Sequence, residues 1–168
     1  MAFVVREASI QDLSALEAVE LQAAERFNAE TVIAGLAKRT VPIGQLEAAQ
    51  AARTLWVAAF EDQTIVGFLL AETLDSDLHV SEMSVVPSHG RQGIGGALLD
   101  AANQHAERTC RRVSLTTFAS VPWNGPFYAK HGFREMTDAE IGVGLAARIQ
   151  EERDLGLTNR LVMCRGDA

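Results

Sequence analysis

The run with the clearest chemical potential is Val85-Val86-Pro87-Ser88-His89-Gly90-Arg91-Gln92-Gly93-Ile94-Gly95-Gly96-Ala97-Leu98-Leu99. It reads as a strand, a glycine-rich turn and the start of a helix. Glycines let backbone N–H groups approach an anion, and a helix start adds unpaired donors and partial positive charge, so the run suits a phosphate. A Walker loop would need Gly-Lys-Ser/Thr at the helix start, and a dinucleotide fingerprint a glycine where Leu98 stands; both are absent. Tight turn packing is the alternative reason for the glycines. A second run, Val121-Pro122-Trp123-Asn124-Gly125-Pro126-Phe127-Tyr128-Ala129-Lys130-His131-Gly132-Phe133, holds the only tyrosine of the chain. There Phe127, Tyr128 and Phe133 also suit an aromatic core cluster.

Other chemistries find little support. His79, His89, His105 and His131 do not cluster and show no HExxH spacing, so each reads as a surface or half-buried histidine. Cys110 and Cys164 form no CxxC and have no nearby histidine pair, which signals neither zinc nor a disulfide framework; both read as buried, reduced thiols. No Gly-x-Ser-x-Gly elbow is present, which argues against a nucleophilic hydrolase.

The elements that must position these residues follow from periodicity. Phe3 to Arg6 reads as a strand, and Ser9 with Asp12 resembles a capping box opening a helix to about Phe27. In that helix Leu13, Leu16, Val19 (or Ala18) and Ala23 form the packed face, with Glu17, Glu20 and Glu25 outside it. Helical pieces at about Ala29–Arg39 and Gln45–Arg53 are separated by Val41-Pro42-Ile43-Gly44. Strands are predicted at Leu55–Phe60, Ile65–Ala71 and Leu78–Val86, the last ended by Pro87. A helix from Gly93 to about Arg108 and a strand at Val113–Phe118 follow. A short helix near Pro126–His131, a strand at Phe133, a helix from about Asp138 to Arg153 and a strand at Asn159–Cys164 complete the list, an α+β (α/β mixed) arrangement.

The two runs together resemble the GNAT superfamily of acyl-CoA-dependent N-acetyltransferases, whose coenzyme A site is a strand, a loop reading Gln/Arg-x-x-Gly-x-Gly/Ala and a helix. Gly93-Ile94-Gly95 falls in that register; the first motif position falls on Gly90, with Arg91 as the neighbouring cation. Asn124, Phe127-Tyr128 and Gly132-Phe133 match the family's Asn, Phe-Tyr and Gly-Phe, with a shorter gap from Asn124 to Tyr128 than in many members. The resemblance implies a central, mostly antiparallel, twisted mixed sheet of about seven strands flanked by helices, with a splayed strand pair at the cofactor site. It implies acetyl-CoA as co-substrate, held by Met83, Val85, Arg91, Gln92, Gly93, Ile94, Gly95, Gly96, Asn124 and Phe127, with no metal.

Amine acetylation needs a free amine, an acid for the leaving thiolate and a donor to the thioester oxygen. The resemblance places the amine's base at Glu82 and the acid that protonates the thiolate at Tyr128. Strand alternation sets Val80, Glu82 and Ser84 on one face and Met83 and Val85 on the other. A solvated strand-end carboxylate is the plainer role for Glu82. The expected activity is direct acetyl transfer to a primary amine of a small molecule or peptide in a ternary complex. A non-catalytic acyl-CoA-binding sensor or interaction module would keep the loop and need neither Glu82 nor Tyr128.

Composition sets the outer bounds. At 168 residues with 48% hydrophobic content the chain suits a single domain over 1–168, and no repeat or linker divides it. Fifteen Lys and Arg against 22 Asp and Glu give a net charge of -7, which opposes nucleic-acid binding and suits a cationic amine. With no basic leader and no run of about 18 apolar residues, no membrane partner is expected and the location reads as cytoplasmic. A homodimer stays open.

Overall fold

The computed structural model describes residues 2–27, 39–109 and 111–166. The helix expected from about Ala29 to Arg39 and the thiol of Cys110 lie almost wholly outside them. The described strands are β1 (Phe3–Glu7), β2 (Leu55–Phe60), β3 (Ile65–Leu74), β4 (Asp77–Val85), β5 (Val113–Phe118), β6 (Arg134–Glu135) and β7 (Arg160–Arg165). The described helices are α1 (Leu13–Ala24), α2 (Ile43–Ala51), α3 (Ile94–Thr109), α4 (Asn124–Lys130) and α5 (Val143–Asp154). The strands hydrogen-bond in the order β1-β2-β3-β4-β5-β7-β6. β4 and β5 are parallel, and β1–β2, β2–β3, β5–β7 and β6–β7 are antiparallel, the mixed sheet expected. The β4–β5 register is Leu78↔Val113, His79↔Ser114 and Val80↔Leu115, although β4 continues to Val85 and β5 to Phe118. Pairing confined to the first halves of two strands is the form a splayed pair takes.

The chain divides into two compact units, residues 1–71 with 82–102, and 72–81 with 103–168. In the first, β2 is buried at all six positions and reads as a near-continuous apolar run rather than an alternating one. Leu16, Val19 and Ala23 of α1, Leu46 and Ala49 of α2, and Leu98, Leu99 and Ala102 of α3 supply helix faces to that unit's core. In the second, Val113 and Leu115 of β5, Met163 and Cys164 of β7, Phe133 and Leu145 are buried. Burial pushes the Cys164 thiol above its ordinary range, as suits a packed thiol.

Three local expectations are corrected. The second helical piece opens at Ile43, not Gln45: Pro42 precedes it with φ -58 and ψ 141, so the proline sets the start and Gly44 lies inside the first turn. The helix expected from Asp138 is interrupted. A 3-10 turn over Asp138–Glu140 ends with Ile141 and Gly142 extended, and α5 begins at Val143. Asp75, in the β3–β4 turn, makes that break: its carboxylate accepts the Gly144 and Leu145 N–H groups at 2.9 and 3.1 Å and caps α5 from 69 residues away. His79 is neither at the surface nor half-buried: it is 1% exposed, with Nδ1 3.0 Å from the Ser114 hydroxyl. Burial, then the charge of Arg148, pull its pKa down to about 4, which keeps the ring neutral.

Candidate active site

The glycine turn is built by backbone conformation. Pro87–His89 form a 3-10 turn after β4, Gly90 is extended, and Arg91 and Gly93 are left-handed at φ 62 and φ 83. Such left-handed residues in a turn aim backbone N–H groups into a common concavity, an arrangement that binds anions. The Gly93 carbonyl accepts the Ala97 N–H at 2.9 Å, so Gly93 caps α3 and the amides of Ile94, Gly95 and Gly96 occupy its first turn. Arg91, Gln92 and Gly93 are exposed, while Ile94 is buried and anchors the helix. A Cβ added at Gly93 would meet nothing within 4 Å, so the turn opens onto space. Open space, N–H donors and an adjacent guanidinium fit a pyrophosphate, and these residues would hold that part of coenzyme A.

One residue of this scaffold escaped the sequence reading. A Cβ on Gly67 in β3 would lie 3.0 Å from the Ser84 carbonyl oxygen and 3.2 Å from both Ile94 Cγ2 and Val85 Cγ2. Glycine there lets β3 run beneath the point where the chain leaves β4 and enters the turn. Nothing in the flanking Ile65-Val66 and Phe68-Leu69 announces this, because the constraint comes from across the sheet.

Glu82 is half-buried in β4, and the Ser84 hydroxyl donates to its Oε1 at 2.7 Å. That bond matches the expectation that Glu82 and Ser84 share a face. Glu20 in α1 corrects the sequence reading, which set it outside the packed face: it is 9% exposed. Its Oε2 accepts the Val41 N–H at 2.9 Å. Burial, and next the charge of Glu82, push its pKa up to about 7. The signal was present in the spacing: Glu20 is four residues after Leu16 and three before Ala23, so it lies on the buried stripe.

In the second unit, α4 holds Asn124, Phe127 and Tyr128, all half-buried. The Tyr128 ring meets Phe127 and Phe133 edge-on, with centroids 5.2 and 5.9 Å apart, and Phe127 lies 4.8 Å from His131. The aromatic cluster is therefore real, with buried Phe133 as its base and the tyrosine partly exposed. The Phe133 N–H and the His131 N–H both bond the Tyr128 carbonyl, at 3.1 and 3.0 Å, which ties the helix end to the Gly132 turn. Among the described residues no group of three or more His, Cys, Asp and Glu is placed to hold a metal ion. No described helix is long and apolar enough to cross a membrane.

Comparison with known proteins places this architecture. A family model described as an acetyltransferase (GNAT) domain matches residues 51–135. The PaiA N-acetyltransferase of Thermoplasma acidophilum, solved in complex with coenzyme A, is similar at 18% identity and TM-score 0.76, over 99% of this chain and 100% of that one. The ribosomal-protein-S18-alanine N-acetyltransferase of Escherichia coli is similar at 16% identity and TM-score 0.69, over 98% of this chain and 93% of its own. Arabidopsis thaliana Naa50, in complex with the bisubstrate analogue CoA-Ac-MVNAL, is similar at 15% identity and TM-score 0.67, over 99% and 100%. At these identities the structural likeness is one of fold. The matched span runs from the end of α2 through β6 and takes in the glycine turn, Glu82 and Tyr128; over that half of its length the sequence itself carries the signature, and the chain belongs to the GNAT acetyltransferase family.

Proposed function

We propose that the chain works as one GNAT-like domain in the cytoplasm and transfers acetyl from acetyl-CoA to a primary amine of a small molecule or peptide. The observation that carries this reading is the turn at residues 90–96, where two left-handed residues and the start of α3 collect N–H donors beside Arg91. The analogue CoA-Ac-MVNAL bound to Naa50 supports a peptide amine within the same fold.

In this reading Arg91, Gln92 and the amides of Gly93 to Gly96 hold the pyrophosphate, and Met83, Val85, Asn124 and Phe127 line the rest of the cofactor's path. Glu82 takes a proton from the incoming ammonium, and the neutral nitrogen attacks the thioester carbonyl directly. As the tetrahedral intermediate collapses, the C–S bond breaks, the Tyr128 hydroxyl protonates the departing sulfur, and the nitrogen's second proton leaves to solvent, from which the Tyr128 phenolate is reprotonated. No covalent enzyme intermediate is needed, because positioning both substrates supplies the main advantage.

Calorimetry with coenzyme A and steady-state kinetics test the assignment. Gly93→Asp should abolish binding in a folded protein, since it sets a negative charge where an anion must sit. Tyr128→Phe should keep fold and affinity while turnover falls about tenfold to a thousandfold, because a thiol with pKa about 8.5 is already a fair leaving group. Unchanged turnover in Tyr128→Phe would move weight to the acyl-CoA sensor. A panel of polyamines, aminoglycosides, amino acids and peptide N-termini, read by CoA release, identifies the acceptor.

A further inference from the structure

Arg160 opens β7 and bears a guanidinium that the reaction above does not use. Its place follows from the phase of β5. The Leu78 N–H bonds the Arg112 carbonyl on the β4 side at 2.8 Å, and the Ala119 N–H bonds the Asn159 carbonyl on the β7 side at 2.9 Å. Backbone groups alternate sides along a strand, so Ser114, Thr116 and Phe118 turn theirs towards β4, and Leu115 and Thr117 theirs towards β7. The last pair with β4 is Val80↔Leu115, so the Thr116 carbonyl is the first to face β4 past the end of the pairing. Arg160 supplies the donor that the strand withholds: Nη2 donates to that carbonyl at 3.2 Å and to the Thr116 hydroxyl at 3.0 Å. Nε donates to Glu152 Oε2 at 3.1 Å, and the guanidinium carbon lies 4.2 Å from the centre of the Phe118 ring. The Thr116 hydroxyl donates in turn to Glu152 Oε1 at 2.6 Å, so the whole group is clamped at the fork of the two strands. Nη1 has no hydrogen-bond or ion-pair partner among the described residues, although the side chain is only 14% exposed.

The fork lies between two differently covered faces. A Cβ on Gly125 of α4 would lie 3.5 Å from Leu161 Cδ1. Leu161 and Arg160 are neighbours on β7 and point to opposite faces, so α4, which carries Tyr128, covers one face and α5, which carries Glu152, the other. We propose that Arg160 determines acceptor specificity: its Nη1 arm, held at the fork of β4 and β5 on the face away from α4, takes a carboxyl or carbonyl oxygen of an α-aminoacyl acceptor. The inference rests on the transferase reading. Direct transfer holds both substrates at one point, and with the acid for the leaving sulfur on the α4 face, the α5 face is left for the amine. In a free amino acid or a peptide N-terminus the oxygen is borne by the carbon next to the one that carries nitrogen, so an oxygen held at Nη1 keeps the nitrogen at the fork. Polyamines and aminoglycosides offer no such carbonyl oxygen. Glu152 offsets the guanidinium charge, which lets the arm take a neutral carbonyl as well as a carboxylate.

The full chain is assayed for CoA release from acetyl-CoA with the protein amino acids, their amides and the amines that remain when the carboxyl group is removed. At least one amino acid or amide should exceed its decarboxylated counterpart about tenfold or more in kcat/KM. Preference for the acid identifies a free amino acid, preference for the amide a peptide N-terminus, and both support the assignment. Arg160→Lys keeps a cation for Glu152, and Arg160→Gln combined with Glu152→Gln leaves no unpaired charge, so both should bind coenzyme A like the parent in calorimetry. In each, KM for the preferred acceptor should rise about tenfold to a hundredfold, with KM for acetyl-CoA unchanged and the preference over the decarboxylated amine lost. The parent's own preference needs no substitution and decides the acceptor class even where a variant does not fold. A parent that works as well on the decarboxylated amines overturns the α-aminoacyl acceptor. Variants that bind coenzyme A and keep the parent's acceptor KM overturn the role of Arg160. If coenzyme A binds and no amine of any kind is acetylated, polyamines and aminoglycosides included, the transferase reading itself fails and this inference with it.

Discussion

Asp12 and Glu20 lie eight residues apart, are 8% and 9% exposed, and titrate in opposite directions. Asp12 accepts both guanidinium arms of Arg6 at 2.7 and 3.0 Å, and the Ser9 N–H and hydroxyl as well. Those bonds, led by the Arg6 pair, outweigh burial and hold its pKa down to about 2. Glu20 has one backbone N–H and a neighbouring carboxylate, and its pKa rises to about 7. Equal burial thus leaves a carboxylate ionised where a guanidinium is supplied, and raises its pKa where the charged neighbours among the described residues are acidic.

The largest effect expected from this contrast is on stability. The folded protein favours the protonated form of Glu20, so that contribution is fully present below pH 4.5 and is lost as pH rises through about 7. Glu20→Gln escapes the loss. It should match the parent below about pH 4.5 and exceed it above pH 7, by up to about 3 kcal/mol in urea unfolding. Stability curves that stay parallel from pH 4.5 to 8 would show that the fold does not favour the protonated form.

Arg6→Met tests the other half. Removing the guanidinium leaves Asp12 buried with only Ser9, which should cost about 2 kcal/mol at pH 7 and move the Asp12 titration upward, towards the behaviour of Glu20. In the parent, Asp12 stabilises above its ordinary pKa of 3.8, and that contribution is lost as pH falls through about 2. Arg6→Met should flatten this acid limb in chemical denaturation. A flat response at pH 7 would mean that Ser9 alone suffices.

Asn103 in α3 extends the contrast to a neutral group. It is buried, and neither amide atom has a hydrogen-bond partner among the described residues. Asn103→Leu should therefore stabilise by roughly 1 to 2 kcal/mol, and a fall in Tm would show that water pairs the amide. The smallest effect belongs to the cap of α5. Asp75→Ala removes acceptors from the Gly144 and Leu145 N–H groups, and should cost about 1 kcal/mol with fraying confined to residues 142–146 by hydrogen exchange.

Most of the strands were legible because their cause is local. Leu55–Phe60 and Val113–Phe118 coincide with β2 and β5, and Pro87 and Gly93 bracket the turn into α3 as expected. The glycine turn was legible for the same reason: φ at Gly93 is a property of that residue and its neighbours, and the family match covers it. The bounds of α5 were not, since Asp75 caps it from another part of the chain. His79 was misjudged because alternation assigns a face but not what covers it; Ser114 arrives from β5.

The sequence by itself therefore determined the order of the described strands and helices and the backbone of the glycine turn, products of short-range sterics and apolar periodicity, while its two motif runs pointed to the family. The tertiary structure alone decided which carboxylates met a cation. Burial and Coulomb energy depend on distances between elements that sequence spacing does not encode. On those distances Asp12 stays ionised beside Arg6, while Glu20, buried eight residues later, has its pKa raised.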